Sequence, residues 1–137
     1  MNDPLVLDTC SFSDKSFLNL LKIYHGDKFL PSVAYAELVV DYYFNKNKNP
    51  DHVDKLLRKL NIEVEWLDAS KAKNAVLCCQ DKQDFKDHIR DYLIGAHAFP
   101  APRIMITNNI KDFECLVQSK VRLFTTFDFC RMLERKK

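Results

Sequence analysis

Short apolar segments alternate with longer segments of helical periodicity along the whole chain. The apolar segments predict strands at residues 5–8, 28–32, 62–67, 103–107 and 121–125. The segments between them carry apolar side chains at helical spacing, and the chain contains only two glycines. Strands joined by helices form a parallel sheet that helices cover on both faces. The sequence therefore predicts an α/β protein, a three-layer α/β/α fold with a central parallel sheet of four to five strands.

Capping residues predict where the helices begin. The expected N-caps are Ser13, Ser32, Asn49, Asp68 and Thr125 or Thr126. From Ser32 the second helix is expected to run to about Asn45, and an unbroken helix is expected from about Asp84 to Pro100.

The size and composition of the chain predict one domain over residues 1–137. With 137 residues and 47% hydrophobic content, the chain buries most of its apolar surface as a single unit. A net charge of +2 permits a nucleic-acid partner without implying one. The N-terminus has no basic region followed by an apolar run, and no apolar run reaches the roughly 18 to 20 residues of a membrane span. We therefore expect a soluble, cytoplasmic protein with no membrane partner.

The cysteines do not form a metal-binding or disulfide pattern. They are Cys10, Cys78, Cys79, Cys115 and Cys130, an odd number without C-x-x-C spacing. Neither a zinc site nor a disulfide framework is indicated, and we expect reduced, mostly buried thiols.

Four acidic residues lie where apolar elements begin or end. Asp8 follows the first strand, and Glu37 interrupts an apolar helix. Asp91 lies one turn before Gly95, and Asp112 follows the fourth strand. Because ligands of open parallel sheets bind beyond the carboxyl ends of the strands, we expect these acids to lie there. Carboxylates placed together repel unless a cation neutralises them, and Mg²⁺ or Mn²⁺ prefers carboxylate and water oxygens. The acids therefore predict a divalent metal site suited to metal-assisted attack on a phosphodiester.

Four segments of the chain resemble motifs of the PIN domain family. The segments are "VLDTCSF", "LPSVAYAEL", "RDYLIGAHA" and "IMITNNIKDF", and they occur in the family's order over nearly the whole chain. The resemblance implies a PIN-like nuclease domain that uses Mg²⁺ or Mn²⁺ to cleave single-stranded RNA, leaving a 5′-phosphate and a 3′-hydroxyl. The largest branch of that family contains the VapC-type toxins of bacterial and archaeal toxin–antitoxin pairs. A small antitoxin protein is therefore an expected partner beside RNA.

The resemblance also implies roles for individual residues. The implied catalytic and metal-binding acids are Asp8, Glu37, Asp91 and Asp112. Thr107 would be a hydroxyl that orients Asp8, and Asn109 stands where family members often have an aspartate. The loss of that carboxylate leaves open whether the site holds one ion or two. Gly95 replaces the commoner alanine, which we expect to be a conservative change.

Each acid also has an ordinary structural explanation. Asp8 and Asp112 are residue types that begin turns and cap short helices. Glu37 is suited to a helix N-terminus, and Asp91 to an ion pair with Arg90 or Lys86 on a solvated face. The occurrence of all four acids in the family's order favours the functional explanation.

Two other functions compete with the ribonuclease. A catalytically weak PIN module would act as an RNA-binding or protein-binding scaffold, which Asn109 favours and the complete set of four acids disfavours. A phosphatase of the haloacid dehalogenase type needs a second aspartate two residues after the first, where this chain has Cys10. Cys10 itself has no evident base that would make it a nucleophile.

Basic residues after the second helix provide a candidate RNA contact. They are Lys46, Lys48, Lys55, Arg58 and Lys59, and the aromatic segment "YYF" precedes them. Such a cluster would hold phosphates while a tyrosine stacks on a base, and a solvated helix end explains it equally well. The apolar segment "LVVDYYF" is suited either to a homodimer interface or to the core.

Overall fold

The central sheet has five short parallel strands. The structure, a computed structural model, describes residues 2–99, 102–119 and 121–135. The strands are β1 (Leu5–Leu7), β2 (Lys28–Pro31), β3 (Glu63–Glu65), β4 (Ile104–Ile106) and β5 (Arg122–Phe124). Their order in the sheet is β3-β2-β1-β4-β5, and every pair is parallel. Val6 of β1 pairs with Phe29 of β2 on one side and with Met105 of β4 on the other.

Helices cover both faces of this sheet. Within the described residues they are α1 (Lys15–Ile23), α2 (Ser32–Val40), α3 (Asp51–Leu60), α4 (Ala69–Cys78), α5 (Lys82–Asp87), α6 (Ile89–Gly95) and α7 (Thr126–Arg135). Helix α1 packs against α3 and α7, whereas α6 packs against α2, α4 and α5. The predicted three-layer α/β/α fold with a parallel sheet is confirmed.

The predicted caps Asp68 and Thr125 are confirmed, whereas Asn49 lies one residue before Pro50, the N-cap of α3. The side chains of Asn49, Asp68 and Thr125 each accept a hydrogen bond from a backbone amide two or three residues later, at 2.9, 2.8 and 3.0 Å. These bonds satisfy amide donors that have no partner within the first turn of a helix.

Two other predicted caps are wrong. Asp14, rather than Ser13, caps α1 by accepting a hydrogen bond from the amide of Phe17 at 3.1 Å. Helix α2 begins after Pro31 without a side-chain cap. The hydroxyl of Ser32 instead accepts a hydrogen bond from the amide of Leu67 at 3.1 Å and so joins α2 to the segment after β3.

Two long helices of the prediction are interrupted. Helix α2 ends at Val40, and a wider turn continues it over Asp41–Asn45. The helix expected from Asp84 onwards breaks at His88, whose φ of −129° and ψ of 28° are not helical. Pro100, its expected end, lies outside the described residues. The break separates α5 from α6 and places Asp91 in the first turn of a new helix.

The core lies between the two helical layers and the sheet. All three residues of β1 and of β4 are fully buried. The four cysteines whose side chains are described are only partly buried, so the expectation of mostly buried thiols is wrong for them. None of the helices in the described part of the chain combines the length and apolarity that a membrane span requires.

Candidate active site

Asp8 is buried at the carboxyl end of β1, and both of its carboxylate oxygens accept hydrogen bonds. Its side chain is 0% exposed. Oδ1 accepts a hydrogen bond from the amide of Thr9 at 2.8 Å, and Oδ2 accepts one from the hydroxyl of Thr107 at 2.8 Å. Thr107 follows β4, the strand paired with β1, so the sheet register fixes this contact. These donors replace part of the hydration that the buried carboxylate loses.

Glu37 reaches the same place from the adjacent strand. Helix α2 starts directly after β2 and packs against the turn that follows β1. The Glu37 carboxylate accepts a hydrogen bond from the hydroxyl of Thr9 through Oε1 at 2.8 Å. A glutamate within an otherwise apolar helix is therefore directed at the sheet edge rather than at open solvent.

Asp91 approaches from the first turn of α6. Burial raises the pKa of its carboxyl, the hydrogen bond from Arg90 opposes that rise, and the negative charges of Asp112 and Asp8 add to it. The charge effects show that Asp8 and Asp112 both lie within electrostatic range of Asp91. Three acids from distant parts of the sequence therefore share one region.

Arg90 lies among these carboxylates and, like Thr9, is a site residue that the sequence did not predict. Its Nε donates to Glu37 Oε2 at 2.5 Å, and its Nη2 donates to Glu37 Oε1 at 2.9 Å and to Asp8 Oδ1 at 2.8 Å. Its Nη1 donates to Asp91 Oδ1 at 3.0 Å. Burial alone would lower the pKa of Arg90, but the hydrogen bonds to Glu37 and the charges of Asp8 and Glu37 raise it overall.

We call Asp8, Glu37, Asp91 and Arg90 the acid centre. The expectation that Asp91 pairs with Arg90 on a solvated face is wrong in its location, because the pair lies among the other carboxylates and the Asp91 side chain is only 14% exposed. The signal available in the sequence was a cation directly beside an acid already assigned to a site. A centre with three carboxylates needs positive charge, and the nearest residue in sequence supplies it.

Asp112 and Asn109 lie at the rim of the acid centre. Both belong to the segment after β4, where the 3₁₀ helix Ile110–Ser119 begins, and both side chains are exposed. The amide of Asp112 donates to the carbonyl of Asn109 at 3.0 Å, and the amide of Asn109 donates to the hydroxyl of Thr107 at 3.1 Å. The segment thus links Thr107, which contacts Asp8, to Asp112.

Gly95 is not replaceable by alanine without rearrangement. A Cβ at this position would overlap the side chain of Leu116, which is fully buried in the 3₁₀ helix. The expectation that Gly95 is a conservative change is therefore wrong. Glycine here permits the close approach of α6 to the segment that carries Asp112.

Cys10 contacts the acid centre as a neutral thiol. Its Sγ donates to Asp8 Oδ2 at 3.5 Å and accepts a hydrogen bond from the amide of Asn108 at 3.2 Å. Burial raises the pKa of the thiol, and the negative charge of Asp8 raises it further. A thiol held in its protonated form is a poor nucleophile.

His97 belongs to a different group of charged residues, which we call the Glu65 cluster. The cluster consists of Glu65, Lys71, His97 and Arg103. Arg103 donates from Nη1 and Nη2 to the two oxygens of Glu65 at 2.6 and 2.9 Å. Nδ1 of His97 lies 2.8 Å from Glu65 Oε1, and Nζ of Lys71 lies 3.9 Å from the same oxygen.

The predicted basic cluster does not contact the acid centre in the described residues. Nζ of Lys46 lies 3.5 Å from Asp41 Oδ2 and 4.3 Å from the centroid of the Tyr42 ring. Nζ of Lys48 lies 5.9 Å from the same ring centroid. The remaining cations, all exposed on α3, are Lys55, Arg58 and Lys59. Lys46 and Lys48 therefore contact the turn Asp41–Asn45 that continues α2.

An open groove borders the acid centre beside Glu37. It has a volume of about 760 Å³ and lies between one face of α2 and the segment after β3. Trp66, with 71% of its surface exposed, forms one wall, and Glu37 forms part of the other. The groove offers an aromatic face next to a carboxylate of the acid centre.

The donor chemistry of the acid centre suits a hard divalent ion. As placed, the described residues contain no group of three or more His, Cys, Asp and Glu side chains arranged to hold a metal. The guanidinium of Arg90 lies where three carboxylates converge. Carboxylate oxygens are the ligands that Mg²⁺ and Mn²⁺ prefer, so the residue types fit the ion that the motifs imply.

The comparisons with known proteins establish the fold. No protein-family profile and no curated protein matches the sequence. A chain of a toxin–antitoxin complex from Klebsiella pneumoniae superimposes with a TM-score of 0.65 at 19% identity, covering 89% of this chain and 97% of that one. A chain of VapBC2 from Rickettsia felis, solved bound to a DNA fragment from its promoter, gives 0.62 at 20% identity, covering 89% and 98%. A chain of VapBC-1 from nontypeable Haemophilus influenzae gives 0.62 at 16% identity, covering 90% and 98%. The resemblance found in the motifs is thereby confirmed at the level of the fold, and this chain has the PIN-like fold that it shares with a chain of each of these complexes.

Proposed function

We propose that the chain is a single-domain PIN nuclease over residues 1–137, a Mg²⁺- or Mn²⁺-dependent endoribonuclease that hydrolyses single-stranded RNA. The observation that carries the proposal is the convergence of Asp8, Glu37 and Asp91 from three different elements onto one cation. A fold has no structural need to gather three carboxylates at the open edge of a sheet, where ligands of such folds bind.

In this proposal the acids bind the divalent ion and the surrounding hydroxyls orient them. A divalent ion bound there supplies an activated water and positive charge for the phosphate. Thr107 holds Asp8, and Thr9 holds Glu37, so neither carboxylate has to reorganise when the substrate binds. Asp112, exposed at the rim, serves as a fourth acid, and Asn109 lies beside it.

RNA is the proposed substrate, and the groove beside Glu37 provides space for it. The exposed indole of Trp66 offers a face on which an unpaired base stacks. We assign the cations Lys46, Lys48, Lys55, Arg58 and Lys59 to contacts with RNA phosphates outside the acid centre.

We also propose that the chain is the toxin of a toxin–antitoxin pair and functions in the cytoplasm. The support is the likeness to chains of complexes from Klebsiella pneumoniae and from two VapBC pairs. The partner would be a small antitoxin protein that covers the acid centre. A homodimer through the "LVVDYYF" segment is a second proposed assembly, and the exposed side chains of Val40, Tyr43 and Phe44 support it.

A catalytically weak scaffold is the second candidate function, and the position of Arg90 favours it. A guanidinium that already neutralises the carboxylates gives a stable ion-pair network without any metal. Under this alternative the acid centre is structural, and the chain binds RNA or a protein partner through the groove.

Cleavage of a mixed single-stranded RNA pool separates the two candidates. We expect the wild-type protein to cut with Mg²⁺ or Mn²⁺ and to stop when a chelator is added. Asp91→Asn should lower the cleavage rate about a hundredfold or more. Loss of a residue that only orients a metal ligand typically lowers activity about 10- to 100-fold, and loss of the ligand itself should lower it further. Asp87→Asn, the same chemical change at an exposed position of α5, should leave the rate unchanged. Equal inactivity of all proteins with every RNA tested would support the scaffold.

A further inference from the structure

The Arg90 guanidinium uses the oxygens that a divalent ion at the acid centre would need. Its three nitrogens contact both oxygens of Glu37, one oxygen of Asp8 and one oxygen of Asp91. Divalent ions bind the same kind of oxygen at distances that leave no room for a guanidinium between ion and carboxylate. We infer that Arg90 is an internal competitor of the divalent ion, so that the ion binds only when the Arg90 side chain leaves the acid centre.

The surroundings of Arg90 permit this exchange. The Arg90 side chain is 35% exposed, whereas Asp8 beneath it is fully buried. Arg90 lies in the first turn of α6, and its long side chain has open solvent on one side. Its departure therefore requires rotation of one side chain and no opening of the core.

Two of the three carboxylates keep hydrogen bonds that hold them in position when Arg90 leaves. Asp8 retains its hydrogen bonds from Thr9 and Thr107, and Glu37 retains the bond from the Thr9 hydroxyl. Neutral donors therefore orient Asp8 and Glu37, whereas Arg90 neutralises all three carboxylates. An ion that replaces the guanidinium finds ligands already in place.

The charge balance favours the replacement. Three carboxylates face one guanidinium, so the acid centre has more negative than positive charge even with Arg90 in place. A divalent ion supplies more positive charge at the same point than a guanidinium does. Arg90 then sets the affinity of the site by raising the ion concentration that is needed for binding.

Calorimetric titration of MnCl₂ into the metal-free protein tests this inference, which rests on the proposed metal-dependent function. The variants are Arg90→Gln, which removes the competing charge, and Arg90→Lys, which keeps the charge but loses the multiple hydrogen bonds. Lys22→Gln, at an exposed position of α1, is the control with the same change in net charge.

Arg90→Gln is expected to bind Mn²⁺ about tenfold more tightly than the wild type or better, the usual range for coupling between two ligands. Arg90→Lys is expected to lie between Arg90→Gln and the wild type, and Lys22→Gln to match the wild type. In thermal unfolding, Mn²⁺ should raise the melting temperature of Arg90→Gln more than that of the wild type, which also shows that the variant is folded.

Two outcomes overturn the inference and differ in what they say about the function. If the wild type binds Mn²⁺ and the two Arg90 variants bind it equally or more weakly, Arg90 does not compete, and the proposed metal site remains. If none of the proteins binds Mn²⁺, the inference and the metal-dependent function are both wrong.

Discussion

The acid centre and the Glu65 cluster use the same ion-pair chemistry with opposite charge balance. In the acid centre three carboxylates surround one arginine. In the Glu65 cluster one carboxylate is shared by Arg103, Lys71 and His97. The acid centre therefore has an excess of negative charge that a further cation would neutralise, whereas the Glu65 cluster has no such excess. The excess of acids over cations is what favours the proposed metal site at the acid centre and disfavours one at the Glu65 cluster.

The pKa shifts of the two groups reflect this difference. Burial would raise the pKa of Glu65, but the hydrogen bonds from Arg103 and His97 and the nearby positive charges lower it overall. The pKa of Asp91 is raised, because burial and the neighbouring acids outweigh its bond with Arg90. Glu65 is thus stabilised as an anion by its own surroundings, and Asp91 is not.

The largest expected effect comes from removing the arginine of the Glu65 cluster. Arg103→Gln should destabilise the protein by about 3 kcal/mol, since it leaves a carboxylate that is only 16% exposed without its bidentate partner. Chemical denaturation would measure the loss, and Arg122→Gln, which removes an exposed pair with Asp3, should cost only a small fraction of it. Mn²⁺ should not restore the stability of Arg103→Gln. Recovery by Mn²⁺ would show that the Glu65 cluster also accepts a cation and would break the comparison.

A smaller effect should appear in the pH dependence of stability. Burial lowers the pKa of His97, although the hydrogen bond and charge of Glu65 oppose the shift. The folded protein therefore binds fewer protons than the unfolded chain just below the ordinary histidine pKa of about 6.5. The contribution of His97 is fully present above that pH and is lost as the pH falls through it towards the lower folded pKa. The resulting change in the free energy of unfolding with pH is at most about 1.4 kcal/mol per pH unit, the value for uptake of one proton.

The variant His97→Gln isolates this contribution. Glutamine keeps an N–H donor for Glu65 but does not titrate, so stability between about pH 6.5 and 5 should depend less on pH than in the wild type. His25→Gln, an exchange at an exposed histidine, serves as the control. Denaturation midpoints measured across that range would show whether the slopes differ. Equal slopes in wild type and His97→Gln would mean that the cluster tolerates a charged imidazole.

The sequence predicted the sheet and the positions of the acids, because both depend on local patterns. Apolar runs predict the strands. An acid that follows a strand lies at the carboxyl end of the parallel sheet, and this position does not depend on how the helices pack. The break at His88 places Arg90 and Asp91 in the first turn of a separate helix, α6. Nothing in the helical periodicity of residues 84–100 signalled that break. The sequence did not reveal the Glu65 cluster either. His97 and Arg103 lie 32 and 38 residues after Glu65 in the chain and meet it only in the folded protein.

The smallest expected effect concerns cations that belong to neither group. Lys46 is exposed, and its pair with Asp41 is exposed as well, so Lys46→Gln should leave the melting temperature unchanged. If Lys46 contacts an RNA phosphate, its loss weakens binding for all RNA sequences alike. The slope of log affinity against log salt concentration should then fall by about 0.7, the value for one phosphate contact on a single strand. Fluorescence anisotropy with a short single-stranded RNA, beside Lys22→Gln, would measure both quantities. If the salt dependence of binding is unchanged, Lys46 does not contact RNA and is only a solvated residue after α2. The groove beside Glu37 would then remain as the proposed RNA contact.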